Sequence, residues 1–218
     1  MTGLTEVNRM RALTSLRAVP LIAFVVAASC TSGPTIDNGP YVAQVEKDRA
    51  DKDVFFRSAD GPLTPESRAT FKGLSYFPID PAYQVPARLE VDTVDRSTIL
   101  ELDTSKHVKR RVRRIGKLHF TLVLKDTPPA SFELTAFVEV DSPDLNRLFV
   151  PFTDVTSNDE TYGGGRYLEL NKTATGLYDL DFNRAYHPFC VFNPGFECPV
   201  PPRENRLITA IRAGEKLK

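Results

Sequence analysis

Arg166 stands at an inward position of a short alternating segment, with Leu168 and Leu170 on the same side. A guanidinium placed there needs an acid, because an unpaired buried charge is very costly. Asp154, Glu160, Asp181 and Glu204 are the acids at hand. In the next segment Asp181 and Asn183 share one face, with Phe182 opposite. The six residues Asp154, Glu160, Tyr162, Arg166, Asp181 and Asn183 therefore compose a cluster suited to a polar small ligand, which Arg166 would hold bidentately. The same residues would serve a hydrolase-type enzyme if a carboxylate or Tyr162 among them had a shifted pKa. They would equally serve a structural envelope protein as a satisfied polar network without a ligand.

Around the cluster, Leu148 to Arg206 carries Gly163-Gly164-Gly165 and two of the three cysteines. The glycines permit close backbone approach or positive φ. They do not make a phosphate loop, since no Lys-Ser/Thr follows and the next element reads as a strand. Cys190 and Cys198 lie eight apart, and in an exported protein a disulfide between them is the default. A metal site from His187 and the two cysteines lacks any Cys-x-x-Cys pair, so no metal is expected. His187 has no Gly-x-Ser-x-Gly partner motif as a general base. No cofactor is implied.

The elements that must position these residues read as β structure. Leu118, Phe120, Leu122 and Leu124 alternate with Lys117, His119 and Thr121, and Phe132, Leu134, Ala136, Val138 and Val140 repeat the period of two. Further strand candidates are 84–91, 98–103, 108–115, 148–152, 166–170, 176–181 and 207–212. About nine short strands argue a mainly β fold, an antiparallel sandwich or barrel. Pro40–Ser58 is the helix expected to pack outside, with Asn38 and Gly39 as caps. Thr64-Pro65-Glu66 starts a second helix that should stop at Gly73. Lys106–Lys117 holds seven Lys or Arg in twelve residues. Such a run suits an edge strand kept unpairable by charge, or a surface for anionic lipid.

Residues 1–29 read as a lipoprotein signal peptide. Arg9, Arg11 and Arg17 precede the apolar run Ala18–Ala28, which is too short to span a bilayer. Ala27-Ala28-Ser29-Cys30 looks like a lipobox, with Cys30 as the diacylated mature N-terminus; Met10 would start a more typical leader. Residues 30–40 form a tether, and 41–218 a single β-rich domain. The expected location is a lipid-anchored envelope protein, on the periplasmic side of the outer membrane in a Gram-negative cell. The leader takes three Arg and one Glu with it, leaving 25 basic against 27 acidic residues. With that balance and with export, no nucleic acid is expected as partner. The partners expected are the membrane, through lipid on Cys30, and a polar small molecule.

With these residues in place, the chain resembles a bacterial and archaeal family catalogued as domain of unknown function 1684. The likeness runs from Lys52 to Lys216. It is carried by Phe71-Lys72-Gly73-Leu74, Pro151-Phe152-Thr153-Asp154, Glu160-Thr161-Tyr162, Gly165-Arg166-Tyr167-Leu168 and Asp181-Phe182-Asn183. Cys190 to Cys198-Pro199, Glu204-Asn205-Arg206-Leu207 and Ala213-Gly214-Glu215-Lys216 complete it. His187 stands where the family pattern more often has Asn. The resemblance implies no activity.

Overall fold

The computed structural model describes residues 37–93, 98–106 and 108–218. The leader and Cys30 lie outside the described residues. Asp37–Lys218 forms one compact unit. Helix α1 (Gly39–Arg57) begins inside the stretch read as tether, and α2 (Pro65–Thr70) follows it. The Thr64 hydroxyl accepts from the Ser67 N–H, as its capping role requires. The helix stops three residues short of Gly73, whose φ of +124° turns the chain away.

Seven strands make one antiparallel sheet: β1 (Gln84–Val91), β2 (Ile99–Asp103), β3 (Lys109–Leu122), β4 (Ala130–Glu139), β5 (Arg147–Phe152), β6 (Arg166–Asn171) and β7 (Leu177–Asp181). Their order is β6-β5-β4-β3-β1-β7, with β2 on β3, and the sheet nearly closes into a barrel. The expected strands 108–115 and 117–124 are one continuous β3. Gly116 marks a bulge in it, not an end, because a Cβ there would lie 2.1 Å from the Glu90 carbonyl oxygen. Residues 207–212 form no strand. They run beside Thr153–Val155 through single bonds, such as Leu207 N–H to the Thr153 oxygen at 2.8 Å.

The basic run is not at an edge, since β3 is paired on both sides. A strand so charged tolerates an interior position because its cations meet acids on neighbouring segments. Lys109 pairs with Asp103, Arg111 with Asp141, and Arg114 with Asp92 at 2.6 Å.

Alternation fills the inside as the sequence requires. Leu118, Phe120, Leu134, Ala136, Leu148, Val150, Phe152, Leu168 and Leu180 make the main core. A second, smaller cluster on the outer face joins Val112, Phe137, Phe149 and Tyr167 to Cys198, so the loop that carries Cys190 and Cys198 covers that face. Between β4 and β5 the ladder is reduced to the pair Phe137 and Phe149. There the fully buried Asn205 carboxamide completes the sheet. Its oxygen takes the Thr135 N–H at 2.7 Å, and its nitrogen donates to the Thr135 and Pro151 oxygens at 2.9 and 2.7 Å. Asn205→Ala would leave these backbone groups buried without partners and should cost about 3 kcal/mol. A urea-melt midpoint close to wild type would show that water replaces the amide.

Candidate functional site

Arg166 opens β6 with its side chain turned into the barrel end, buried to 1 % exposure. Both terminal nitrogens are bonded, while its buried Nε has no partner among the described residues. One terminal nitrogen donates to Asp154 Oδ2 at 2.9 Å and to the Ile211 oxygen at 2.7 Å. The other reaches the Glu215 oxygen at 3.1 Å and also bonds the Ala213 oxygen. Phe152 and Phe77 lie against its plane, with ring centroids at 5.4 and 5.9 Å. Burial pulls its pKa below the usual arginine value, and Asp154 opposes that pull. Asp154 is equally committed: its Oδ1 accepts from the Thr156 N–H and hydroxyl and from the Ile211 N–H. The expected acid partner is therefore Asp154, and the pair is internal.

The glycine run closes this loop. Gly165 has φ +87°, and a Cβ on it would lie 2.4 Å from the Phe152 oxygen. Only a residue free of that Cβ lets Arg166 turn inward here.

The other predicted residues fall into separate groups. Glu160 is on the surface and takes the Arg212 Nε–H at 2.8 Å. Tyr162 donates its backbone N–H to His187 Nε2 at 3.2 Å. Burial, then the Cys190 thiol, raises the Tyr162 phenol above its ordinary value. Asp181 and Asn183 do sit together, around Tyr41 of α1. The Tyr41 hydroxyl donates to Asp181 Oδ1 at 2.9 Å and accepts from Asn183 Nδ2 at 2.8 Å. Arg184 Nε–H reaches Asp181 Oδ2 at 3.0 Å.

Asp181 and Arg184 border a cleft of about 450 Å³ between β6 and β7, which are not hydrogen-bonded to each other. Leu168, Leu170, Tyr178 and Tyr186 form its apolar walls. Asp154, Glu160, Tyr162, Arg166 and Asn183 do not line it.

Cys190 and Cys198 are free thiols, so the expected disulfide is not formed. The turn at Phe189–Val191 points the Cys190 N–H at Cys198 Sγ, 3.2 Å away, and the sulfur serves as an acceptor. Burial, then the Cys190 thiol, pushes Cys198 up to about 12.

Sequence reasoning missed Tyr41, Lys52, Arg184 and Glu215 as members of these networks. Glu215 is buried to 1 % exposure, pairs with Lys52 Nζ at 2.6 Å and accepts the His187 N–H at 2.8 Å. Its visible signals were its place in the motif Ala213-Gly214-Glu215-Lys216 and the preceding Gly214, whose φ is +76° and on which a Cβ would meet the Ala185 oxygen at 2.5 Å. Burial, then the Arg166 and Lys52 charges, lowers His187 to about 3 from 6.5, so it is neutral.

These features define a nearly closed antiparallel barrel whose end is locked by an internal arginine. The chain belongs to the family described as protein of unknown function (DUF1684), whose model matches residues 69–216. The match begins at residue 69, later than the Lys52 at which the sequence likeness starts. No curated protein matches the chain. An uncharacterised protein of Haloarcula marismortui, solved by solution NMR, is 38% identical over 83% of this chain and 96% of its own, with a TM-score of 0.62. Among the described residues no helix is long and apolar enough to cross a membrane.

Two outcomes follow from the buried groups. Asp154→Asn leaves the guanidinium charged and uncompensated and should lose about 3–5 kcal/mol of stability; chemical denaturation measures it. His187 takes up its proton at pH 6.5 when unfolded but only near 3 when folded. Its contribution is thus complete above pH 6.5 and lost as pH falls through that window, by up to about 1.4 kcal/mol per pH unit. His187→Asn should flatten this acid limb in denaturation curves taken from pH 7 to 4. An unchanged limb would show that other groups carry it.

Proposed function

We propose that the protein is an exported lipoprotein of the cell envelope that binds a polar small ligand in the cleft between β6 and β7. The reading is carried by the unspent polar groups of that cleft. The Asn171 carboxamide makes no hydrogen bond among the described residues, and one terminal nitrogen of Arg184 is uncommitted beyond its bonds to Asp48 and Asp181. Asp181 lies beside them, with one lone pair of Oδ2 still open. Tyrosine and leucine walls with a few convergent polar groups are the usual make-up of a ligand site at a barrel opening. Arg166 does not touch the ligand in this reading. It holds the frame, so Arg166→Ala reports on folding.

Export is supported by the basic, apolar and small-residue succession up to Cys30, which would carry the lipid. Attachment to the periplasmic side of the outer membrane in a Gram-negative cell is supported by Thr31, where a retained lipoprotein would have Asp.

Cys30→Ala should abolish incorporation of labelled palmitate; retained label would sink the anchor. For the ligand, the full chain purified from membranes is denatured and the released small molecules are identified by mass spectrometry. Asn171→Trp fills the cleft from an exposed position, so it should remove the released compound without changing the thermal melt. The same compounds from both proteins, or none from wild type, would overturn the cleft as the site.

A further inference from the structure

A second cavity, of about 310 Å³, lies under the last residues of the chain. Its walls are Phe71, Leu74, Val191 and Phe192. Behind them Phe56 fixes the two rings: it lies 5.8 Å from Phe71 and 5.0 Å from Phe192, centroid to centroid. The chain segment over the cavity is fixed too, because Arg166 grips the carbonyls of Ile211, Ala213 and Glu215. Apolar walls held from behind do not need to be ordered when something enters, which favours binding.

The floor is made by His187 and Glu215, and it offers no net negative charge. His187 is neutral, with Nε2 occupied by the Tyr162 N–H. The Glu215 carboxylate is compensated by Lys52 and bonded by the His187 N–H. The rim is different. Lys216 and Lys218 line the cavity, are exposed, and form no ion pair among the described residues. Lys218 Nζ stands 5.9 Å from the Phe71 ring centroid. Arg57 flanks the same ring at 5.2 Å and balances the Asp53 carboxylate, 3.9 Å away beside Gly73. An apolar slot with a neutral floor and two ammonium groups at its mouth that have aromatic but no carboxylate neighbours discriminates by charge. A cation is repelled, a neutral body gains only the apolar contact, and an anion gains both.

From this we infer that the cavity is a binding site for a small organic acid, an aromatic or short aliphatic body bearing one carboxylate or sulfonate. The apolar body lies between Phe71 and Phe192, and the acid group meets Lys216 and Lys218. This site is separate from the β6–β7 cleft and does not depend on it.

The test pairs two probes of the same shape, 2-naphthoate and its neutral amide, 2-naphthamide. Each is titrated by calorimetry into the full chain in lipid nanodiscs, with empty nanodiscs as blank. Naphthoate should bind at least tenfold more tightly than naphthamide. K216A/K218A should erase that difference and leave naphthamide binding unchanged. Val191→Trp, which fills the slot, should abolish both, whereas Asn171→Trp in the other cleft should leave both intact. Equal affinity for the two probes, no heat at millimolar probe, or naphthoate binding that survives K216A/K218A or Val191→Trp would each overturn the assignment. Thermal melts of each variant confirm that the fold is kept.

Discussion

One buried charge governs this molecule. The Arg166 guanidinium has left water almost completely, and such a group stays in a fold only if its charge is paired and most of its N–H groups are bonded locally; here all but Nε are. Asp154 supplies the countercharge, and three backbone carbonyls from residues 211–215 supply most of the remaining acceptors. The consequence is topological. Those carbonyls belong to a segment with almost no regular structure, so the arginine, and not a sheet ladder, fixes its path. The loop from Asp154 to Gly165 is shaped by the same demand, with Asp154 also binding the Ile211 N–H.

The ordered segment then holds the helix. α1 buries only Val45 and Phe56, too little apolar surface to seat nineteen residues by packing alone. Polar contacts do the rest. Lys52 meets Glu215, Arg49 donates to the Phe77 and Asn183 oxygens, and Tyr41 bridges Asp181 and Asn183. Two of these contacts end on the turn after β7, and one ends on the segment that Arg166 positions. A helix whose charge is spread all round is thereby made a stable part of the fold. The residues that look solvent-facing in the sequence are the ones that dock it.

This explains what the sequence could and could not reveal. Strand faces were legible, because a period of two needs only local information: Leu118, Phe120 and Leu122 point in as alternation requires. The need for an acid beside Arg166 was legible too, because it follows from one inward position. Its carbonyl partners were not, since a backbone acceptor has no residue type to recognise and these lie 45 to 49 positions away. Gly116 misled for a related reason. A glycine between two alternating runs reads as a break, yet here its missing Cβ lets β1 come close. Asn205 was likewise invisible, since a carboxamide standing in for part of a ladder resembles any loop asparagine. Asp181 and Asn183 do meet, but through the turn at Phe182–Arg184, where Asp181 Oδ1 accepts the Asn183 N–H at 3.0 Å, and not by alternation along a strand. Arg166 turns toward residues 211–215 instead, because sharing a sheet does not mean sharing an opening.

The gap between β6 and β7 has its own cause, and it is a built feature. β7 spends its pairing on β1, where Val85 faces Leu180 and Ala87 faces Tyr178. The β6 edge that closure would require is already taken at its start, since Tyr167 and Tyr186 exchange backbone hydrogen bonds at 2.9 and 3.1 Å. The Tyr186 hydroxyl then reaches Glu169 at 2.7 Å, so the incoming chain is fastened further along the same edge. With Tyr186 in the place a paired strand would occupy, the barrel cannot zip shut, and side chains line the opening. Blocking an edge with a short crossing segment also protects it from pairing with another chain. The same tyrosine therefore keeps the gap between β6 and β7 open and the β6 edge closed to neighbouring sheets.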